Sequence, residues 1–381
     1  MSPIVRTGKR REPGQESRES TIGAFLSTLR AASAMTEESD ELDDPPGDGD
    51  DPPADTDEEL TYAEAGVDIE ASEAATGALV GAVGDAAGDA EGDYAGLVDL
   101  GDRYLALATD GVGTKLLVAE ALGDYSTVGI DCIAMNANDL VAAGVEPMAF
   151  VDYLAVDEPD DATAAAIGEG LAAGAERAGV ALVGGETAVM PEVVRGLDIA
   201  GTCAGLAAEE ELFDGAQAGD ALVGFPSSGI HSNGLTLARE AATRAGEYTD
   251  PFPPDPDRTV GEVLLEPTRI YADLLDPLGN HATHAAAHVT GGGWTNLTRM
   301  GAFRYEISDP LPVPDVFAFV GDAGNVGREE LYRTFNMGMG FVAALAPDDA
   351  ADVLGATDGR VIGRVEAAEE AQVEIRGLTL S

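Results

Sequence analysis

Lysine is almost absent from this chain of 381 residues: Lys9 and Lys115 are the only two, and every other basic side chain is arginine or histidine. Cysteine is as scarce, with Cys132 and Cys203 alone and far apart. That count excludes a disulfide framework and leaves no metal or redox spacing. Both thiols read as small core residues. No run approaches the ~20 apolar residues of a membrane-spanning helix. Aromatics are only 5% of the chain, so its core must be built mainly from alanine and valine. A basic face is missing too. A net charge of −49 excludes DNA, RNA and anionic membrane as partners, since each needs clustered cations.

What is abundant is acid. Self-repulsion on this scale penalises a compact state at low ionic strength and is screened in concentrated salt. The composition predicts a salt-adapted, halophilic protein working in a cytoplasm held at molar salt. The first 34 residues are unlike the rest, carrying Arg6, Lys9, Arg10, Arg11, Arg18 and Arg30 without an apolar segment long enough for a signal peptide. Translation is expected to start near Met35. The stretch from Asp40 to Glu59 is acidic and proline-rich, and residues 1–59 together are expected to form a disordered extension.

The folded body is expected from Leu60, with a boundary near Glu211 between units 60–211 and 212–381. Helices are predicted over 69–83, 128–143, 162–178, from 235, over 267–278 and over 294–300. Strands are predicted over 94–99, 103–109, 150–156, 180–183, 197–206, 221–225, 285–289, 341–345, 361–365 and 373–376. The fold class is α/β with mixed sheets.

Several junctions carry chemistry. Lys115, the one lysine of the body, closes the loop Asp110-Gly111-Val112-Gly113-Thr114-Lys115. A compact ammonium beside bare backbone suits phosphate, and Asp110 suits a hard cation. The alternative is a hairpin turn with a solvated lysine. Asn136, Asn138 and Asp139 lie among apolar helix neighbours and need partners, either a ligand or the core itself. The strand 180–183 opens onto Gly184-Gly185-Glu186-Thr187-Ala188, which suggests backbone approach to a ligand. Ser228-Gly229-Ile230-His231-Ser232-Asn233-Gly234 precedes a helix N-terminus, a ready anion site. Gly291-Gly292-Gly293 between strand and helix forms either a phosphate nest or a tight turn. Asn336 either contacts a ligand or caps a turn. The histidines His281, His284 and His288 show no ligand spacing.

Taken in order, these segments, together with Tyr62-Ala63-Glu64-Ala65-Gly66-Val67-Asp68-Ile69, Asn138-Asp139-Leu140, Pro267-Thr268-Arg269-Ile270-Tyr271, His288-Val289-Thr290 and Tyr332-Arg333-Thr334-Phe335-Asn336, closely resemble the AIR synthetase (phosphoribosylformylglycinamidine cyclo-ligase) family from Leu60 to the C-terminus. The resemblance implies two α/β domains, the first sharing a β-barrel across a homodimer. It implies ATP and Mg2+ as cofactors, with K+ stimulatory, and formylglycinamidine ribonucleotide as substrate. Asp110, Asp139 and Glu186 would then hold metal. Asp110, Gly111, Gly113, Thr114, Lys115, Asn138, Asp139, Gly185, Glu186 and Thr187 would bind nucleotide. Ser228, His231, Ser232, Asn233, Gly291, Gly292, Gly293 and Asn336 would bind substrate, and Lys115, His231 and Asn233 would be catalytic. Gly92-Asp93-Tyr94 departs from the glycine pair and phenylalanine of the family at a loop expected to cover nucleotide.

Overall fold

A computed structural model describes residues 59–67, 69–83 and 94–381. The expected start near Met35, the extension up to Glu58, and Gly92-Asp93 lie outside the described residues. In chain order the first elements are α1 (Ile69–Val83), β1 (Gly96–Asp99), β2 (Tyr104–Gly111), α2 (Lys115–Leu122), α3 (Val128–Ala142), β3 (Pro147–Val156), α4 (Asp161–Ala178), β4 (Ala181–Val189) and β5 (Leu197–Ala207). Then follow β6 (Ala221–Pro226), α5 (Leu235–Ala245), a small hairpin of β7 (Pro251–Phe252) and β8 (Asp255–Thr259), and α6 (Val260–Leu264). The remaining strands are β9 (Thr283–His288), β10 (Phe303–Ile307), β11 (Met339–Leu345), β12 (Arg360–Ala367), β13 (Gln372–Ile375) and β14 (Leu378–Leu380).

The strands make two main sheets. The first has the order β1-β2-β5-β3-β4 and the second β14-β13-β10-β12-β6-β11-β9. In the first, β3 and β4 run parallel, because α4 crosses between them, while β5 lies antiparallel to both β2 and β3. One face packs on α3 and α4. Along β5 the inward residues Ile199, Gly201, Cys203, Gly205 and Ala207 are buried, and the outward ones are not. The outward face carries Leu107, Val151 and Tyr153, all at least 40% exposed.

Helix α3 runs through the middle of the molecule. It is covered on all sides and mostly apolar, with Asp131, Asn136 and Asn138 buried among the apolar residues. Fourteen of its residues are buried, and Asp139 alone is not. It crosses α4 closely: a Cβ on Gly129 would collide with the backbone of Ile167, Gly170 and Leu171, so the two glycine-rich surfaces set the spacing. One core cluster takes residues from both sheets, such as Ala106, Ile199, Leu222 and Val365, and from the helices between them, such as Val118, Leu140 and Leu235. Cys132 and Cys203 are fully buried as expected, and burial pushes the Cys203 thiol up to about 12.

Three local expectations are corrected. The segment 267–278 is not one helix: Pro267–Tyr271 is irregular backbone, followed by a 3-10 turn Ala272–Leu274 and a short helix Leu275–Gly279. Gly184–Ala188 is not a loop. It continues β4, since β3 pairs with it through Ala188 and Val189, and a Cβ at Gly185 would meet the Asp152 carboxylate. Lys115 closes no hairpin. It is the first residue of α2, a helix that ends on Gly123 in the left-handed conformation. The segment Gly293–Met300 is helical but 3-10 in type.

Candidate functional site

The segment Glu266–Tyr271 is an unwound strap, and its backbone holds the site together. The Glu266 carbonyl accepts from Lys115 Nζ at 2.6 Å, and the Pro267 carbonyl accepts from the Ser228 hydroxyl at 2.6 Å. The Thr268 N–H donates to Asp131 Oδ1 at 2.8 Å. The Arg269 carbonyl accepts from Asn138 Nδ2 at 2.9 Å, and the Tyr271 N–H donates to Asn138 Oδ1 at 2.8 Å. A helix would have used these groups internally; here they reach the first-half elements α2 and α3 and the loop after β6. The strap is anchored outside by Arg269, which makes a paired contact with Asp358 at 2.7 and 2.9 Å.

Lys115 is neither solvated nor presented to a cleft. It is fully buried, with its ammonium 2.8 Å from Asp131 Oδ2 and 2.9 Å from Oδ1. Asp131, also fully buried, accepts in addition from the Thr268 hydroxyl at 2.6 Å and from Ser232 Oγ at 3.4 Å. The expected phosphate cation is therefore a buried ion pair joining α2, α3, the strap and the loop after β6. This corrects the reading of Lys115 as a free counter-charge and places Ser232 on Asp131. Next to Lys115, Thr114 Oγ1 lies 2.9 Å from Thr236 Oγ1 at the start of α5.

Asp110 is the penultimate residue of β2, and its Oδ1 accepts from the Gly111 N–H at 2.7 Å. Burial raises its pKa, and the nearby Asp139 carboxylate raises it further. Asp139 Oδ1 lies 2.8 Å from Nδ1 of His288, the fully buried last residue of β9. His288 Nε2 is 3.3 Å from Asn138 Nδ2. Asn138 is fully buried, and both its amide hydrogens are committed, to His288 and to the Arg269 carbonyl. It ties the strap to α3 and β9. Two neighbouring, partly exposed carboxylates suit Mg2+, which is bound through one or two carboxylates and substrate phosphates. A bound cation would favour the charged form of Asp110 that burial disfavours.

His231 holds a left-handed backbone conformation, with φ of 71°. Its Nε2 accepts from the Ser228 N–H at 3.2 Å, and its Nδ1 is buried without a partner. Burial holds it neutral, well below the ordinary imidazole value, and the Lys115 ammonium and Arg269 guanidinium push the same way. Next to it, Asn233 has a buried Oδ1 without a partner, and its Nδ2 would lie 3.2 Å from a Cβ placed on Gly291. The asparagine thus sits over the bare backbone of the triple-glycine turn. Gly293 has a positive φ, and a Cβ there would strike the backbone of Tyr332 and Phe335. Its N–H closes the turn onto the Thr290 carbonyl at 3.0 Å, so it is not available to a phosphate. Asn336 is corrected as well. Its Oδ1 accepts from Ser227 Oγ and the Gly338 N–H, and its Nδ2 donates to the Gly229 and Ile230 carbonyls. All its capacity goes to bracing the loop after β6.

Gly185, Glu186 and Thr187 lie elsewhere. Glu186 is paired opposite Tyr153, which is opposite Ala200, which is opposite Gly111. Three strand spacings put it about 14 Å from the end of β2. Within one chain it does not join Asp110 and Asp139, and among the described residues no three His, Cys, Asp or Glu side chains are grouped to hold a metal. Ser228 lines a cavity of about 560 Å³ together with Arg177, Thr268 and Arg269. Asp131 and His288 escaped the sequence reading. Asp131 sits in an apolar helix with no motif around it. The signal for His288 was present, as the residue leading into the triple-glycine turn, but its carboxylate partner lies 149 residues away.

The chain matches the AIR synthase related protein family twice, its N-terminal domain over residues 92–207 and its C-terminal domain over residues 217–376. It is 46% identical over 315 residues to a phosphoribosylformylglycinamidine cyclo-ligase of Methanosarcina acetivorans, covering 80% of this chain and 95% of that one. It is 45% identical over 342 residues to the same-named protein of Thermococcus gammatolerans, covering 84% of this chain and all of that one. Among solved structures, AaThiL complexed with AMPPCP and TMP superposes with a TM-score of 0.59 at 20% identity, over 80% of this chain and 93% of that one, a likeness of fold. With ordered motifs, paired sheets and near full-length identity in agreement, the chain belongs to the phosphoribosylformylglycinamidine cyclo-ligase family.

Proposed function

We propose that this protein closes the imidazole ring of purine biosynthesis. ATP phosphorylates the amide oxygen of formylglycinamidine ribonucleotide, the amidine nitrogen attacks the activated carbon, and phosphate leaves to give 5-aminoimidazole ribonucleotide and ADP. The observation that carries this reading is the 46% identity spanning 95% of a cyclo-ligase. The chemistry asks for positioning and charge placement more than proton shuttling, and a rigid strap tying both halves to one opening suits that demand.

Asp110 and Asp139 are the groups that would hold Mg2+, which supplies neutralising charge to the triphosphate. The backbone of Gly111 and Gly113 and the Thr114 hydroxyl, which follow Asp110 in the chain, are candidate nucleotide contacts. Asn233, with its unpartnered Oδ1, and the N–H groups of Gly291 and Gly292 are the candidates for the substrate end; Ser228 is placed to reach the adjoining cavity. Neutral His231 braces that loop through Ser228. Glu186 and Thr187 would serve a site completed by a second copy, since β4 is an exposed edge strand. The working form is a cytoplasmic homodimer in concentrated KCl, with K+ as a stimulant. Purified protein in 2 M KCl with Mg2+ should release ADP only when formylglycinamidine ribonucleotide is present. ATP turnover indifferent to that substrate, or none at all, rejects the ligase.

A further inference from the structure

We infer that His288 is a positioning residue that fixes the Asp139 carboxylate, and that the strap sets the proton arrangement that lets it do so. The inference rests on the reading of Asp139 as a holder of metal–nucleotide. The chain of assignment begins at backbone. The Tyr271 N–H is a donor, so the Asn138 atom 2.8 Å from it is the carbonyl oxygen. The other Asn138 atom is then the amide nitrogen, which donates to the Arg269 carbonyl at 2.9 Å. Its second hydrogen faces His288 Nε2 at 3.3 Å, which must therefore be the unprotonated ring nitrogen. The proton of the neutral imidazole is left on Nδ1, where it donates to Asp139 Oδ1 at 2.8 Å.

Both ring nitrogens are thus committed, and the side chain is fully buried. His288 has no nitrogen free to exchange protons with a bound substrate. What it does is hold one oxygen of Asp139, the only residue of α3 that is not buried, and leave Oδ2 without a partner among the described residues. Its own backbone is pinned too, the His288 carbonyl accepting from Tyr94 Oη at 3.4 Å. Outer partners of this kind orient a ligating group and raise its affinity for the cation.

The test reads metal binding directly, without the ribonucleotide. Mn2+ binding in the presence of ATP is followed by electron paramagnetic resonance in 2 M KCl, with circular dichroism and melting as controls. H288L keeps bulk and removes the donor; H288N returns an amide N–H near the position of Nδ1. H288L should weaken Mn2+ binding by about 10- to 100-fold, and H288N should recover most of it. In turnover, the Mg2+ requirement of H288L should rise more than the KM for the ribonucleotide. Wild-type affinity in a folded H288L overturns the inference, as does a folded H288N no better than H288L. If H288L does not fold, H288N alone decides: near wild-type affinity supports the inference, and a loss as large as 10-fold overturns it. Failure of the wild-type chain to bind Mn2+ with ATP rejects the site reading itself, a result distinct from any difference among the variants.

Discussion

Asp131 shows how far one buried side chain can reach. Removing one partner of a buried ion pair strands the other charge in a poorly solvated interior. Asp131→Asn should therefore cost about 3–5 kcal/mol, measured by urea unfolding in 2 M KCl, because Lys115 keeps its charge and loses its acceptor. The ion pair also explains why this one lysine persists. A compact ammonium fits among Asp131 and the Glu266 carbonyl where a planar guanidinium would not. Asp110 makes the opposite prediction. Its folded-state pKa is raised by burial and by Asp139, so its contribution to stability is greatest below the ordinary carboxyl value and is lost as pH rises through the folded pKa. At pH 7 Asp110→Asn should melt higher than wild type in the absence of cation, and turnover should fall. The melting advantage should shrink as pH drops toward 4 and when Mg2+ and ATP are added. A lower melting point at pH 7 counts against the strain at Asp110.

Among the elements, the strap decides most. Its sequence, Pro267-Thr268-Arg269-Ile270-Tyr271, opens with a helix-start proline, and that local signal predicts a helix. The structure leaves it unwound because Asp131 and Asn138 on α3 offer its backbone better partners than its own turn would. Asn138→Leu removes two such bonds and strands the Tyr271 N–H and the Arg269 carbonyl. At about 1–3 kcal/mol for each buried unsatisfied group, it should cost about 2–6 kcal/mol. Cleavage near Arg269 under limited proteolysis should rise with it. Unchanged melting and an unchanged digest would mean the strap is held from elsewhere. The periodic elements were legible for the reason the strap was not. Helix α1 matches its expected bounds, 69–83, although its described side chains are exposed; α3 and α4 match theirs within one residue, because their apolar residues report burial locally. Strand β4 was cut short because two glycines resemble a loop until a neighbouring strand pairs with them.

For the whole molecule the open question is the outer face of the first sheet. Leu107, Val151 and Tyr153 stand exposed on it, and β4 has an unpaired edge. Within one chain this is an open five-stranded sheet; a shared barrel would cover it with a second copy. Val151→Asp with Tyr153→Asp should convert a dimer to a monomer in light scattering at 2 M KCl and reduce turnover. A wild-type monomer excludes the shared barrel. The acidic surface belongs to the same scale. With a net charge of −49, melting temperature should climb between 0.1 and 2 M KCl as repulsion is screened.

Composition, charge, the ordered glycine-rich junctions and the periodic helices are local properties, and the sequence alone determined the family and the α/β class. It could not determine how those loops spend their hydrogen bonds. Asn138 and Asn336 carry the same amide as Asn233, yet the first two are consumed by backbone and the third keeps an orphaned oxygen. Whether a polar side chain faces a ligand or the core depends on partners more than a hundred residues away. Only tertiary packing brings those partners within 3 Å, and it alone turned Lys115 inward and set His288 against Asp139.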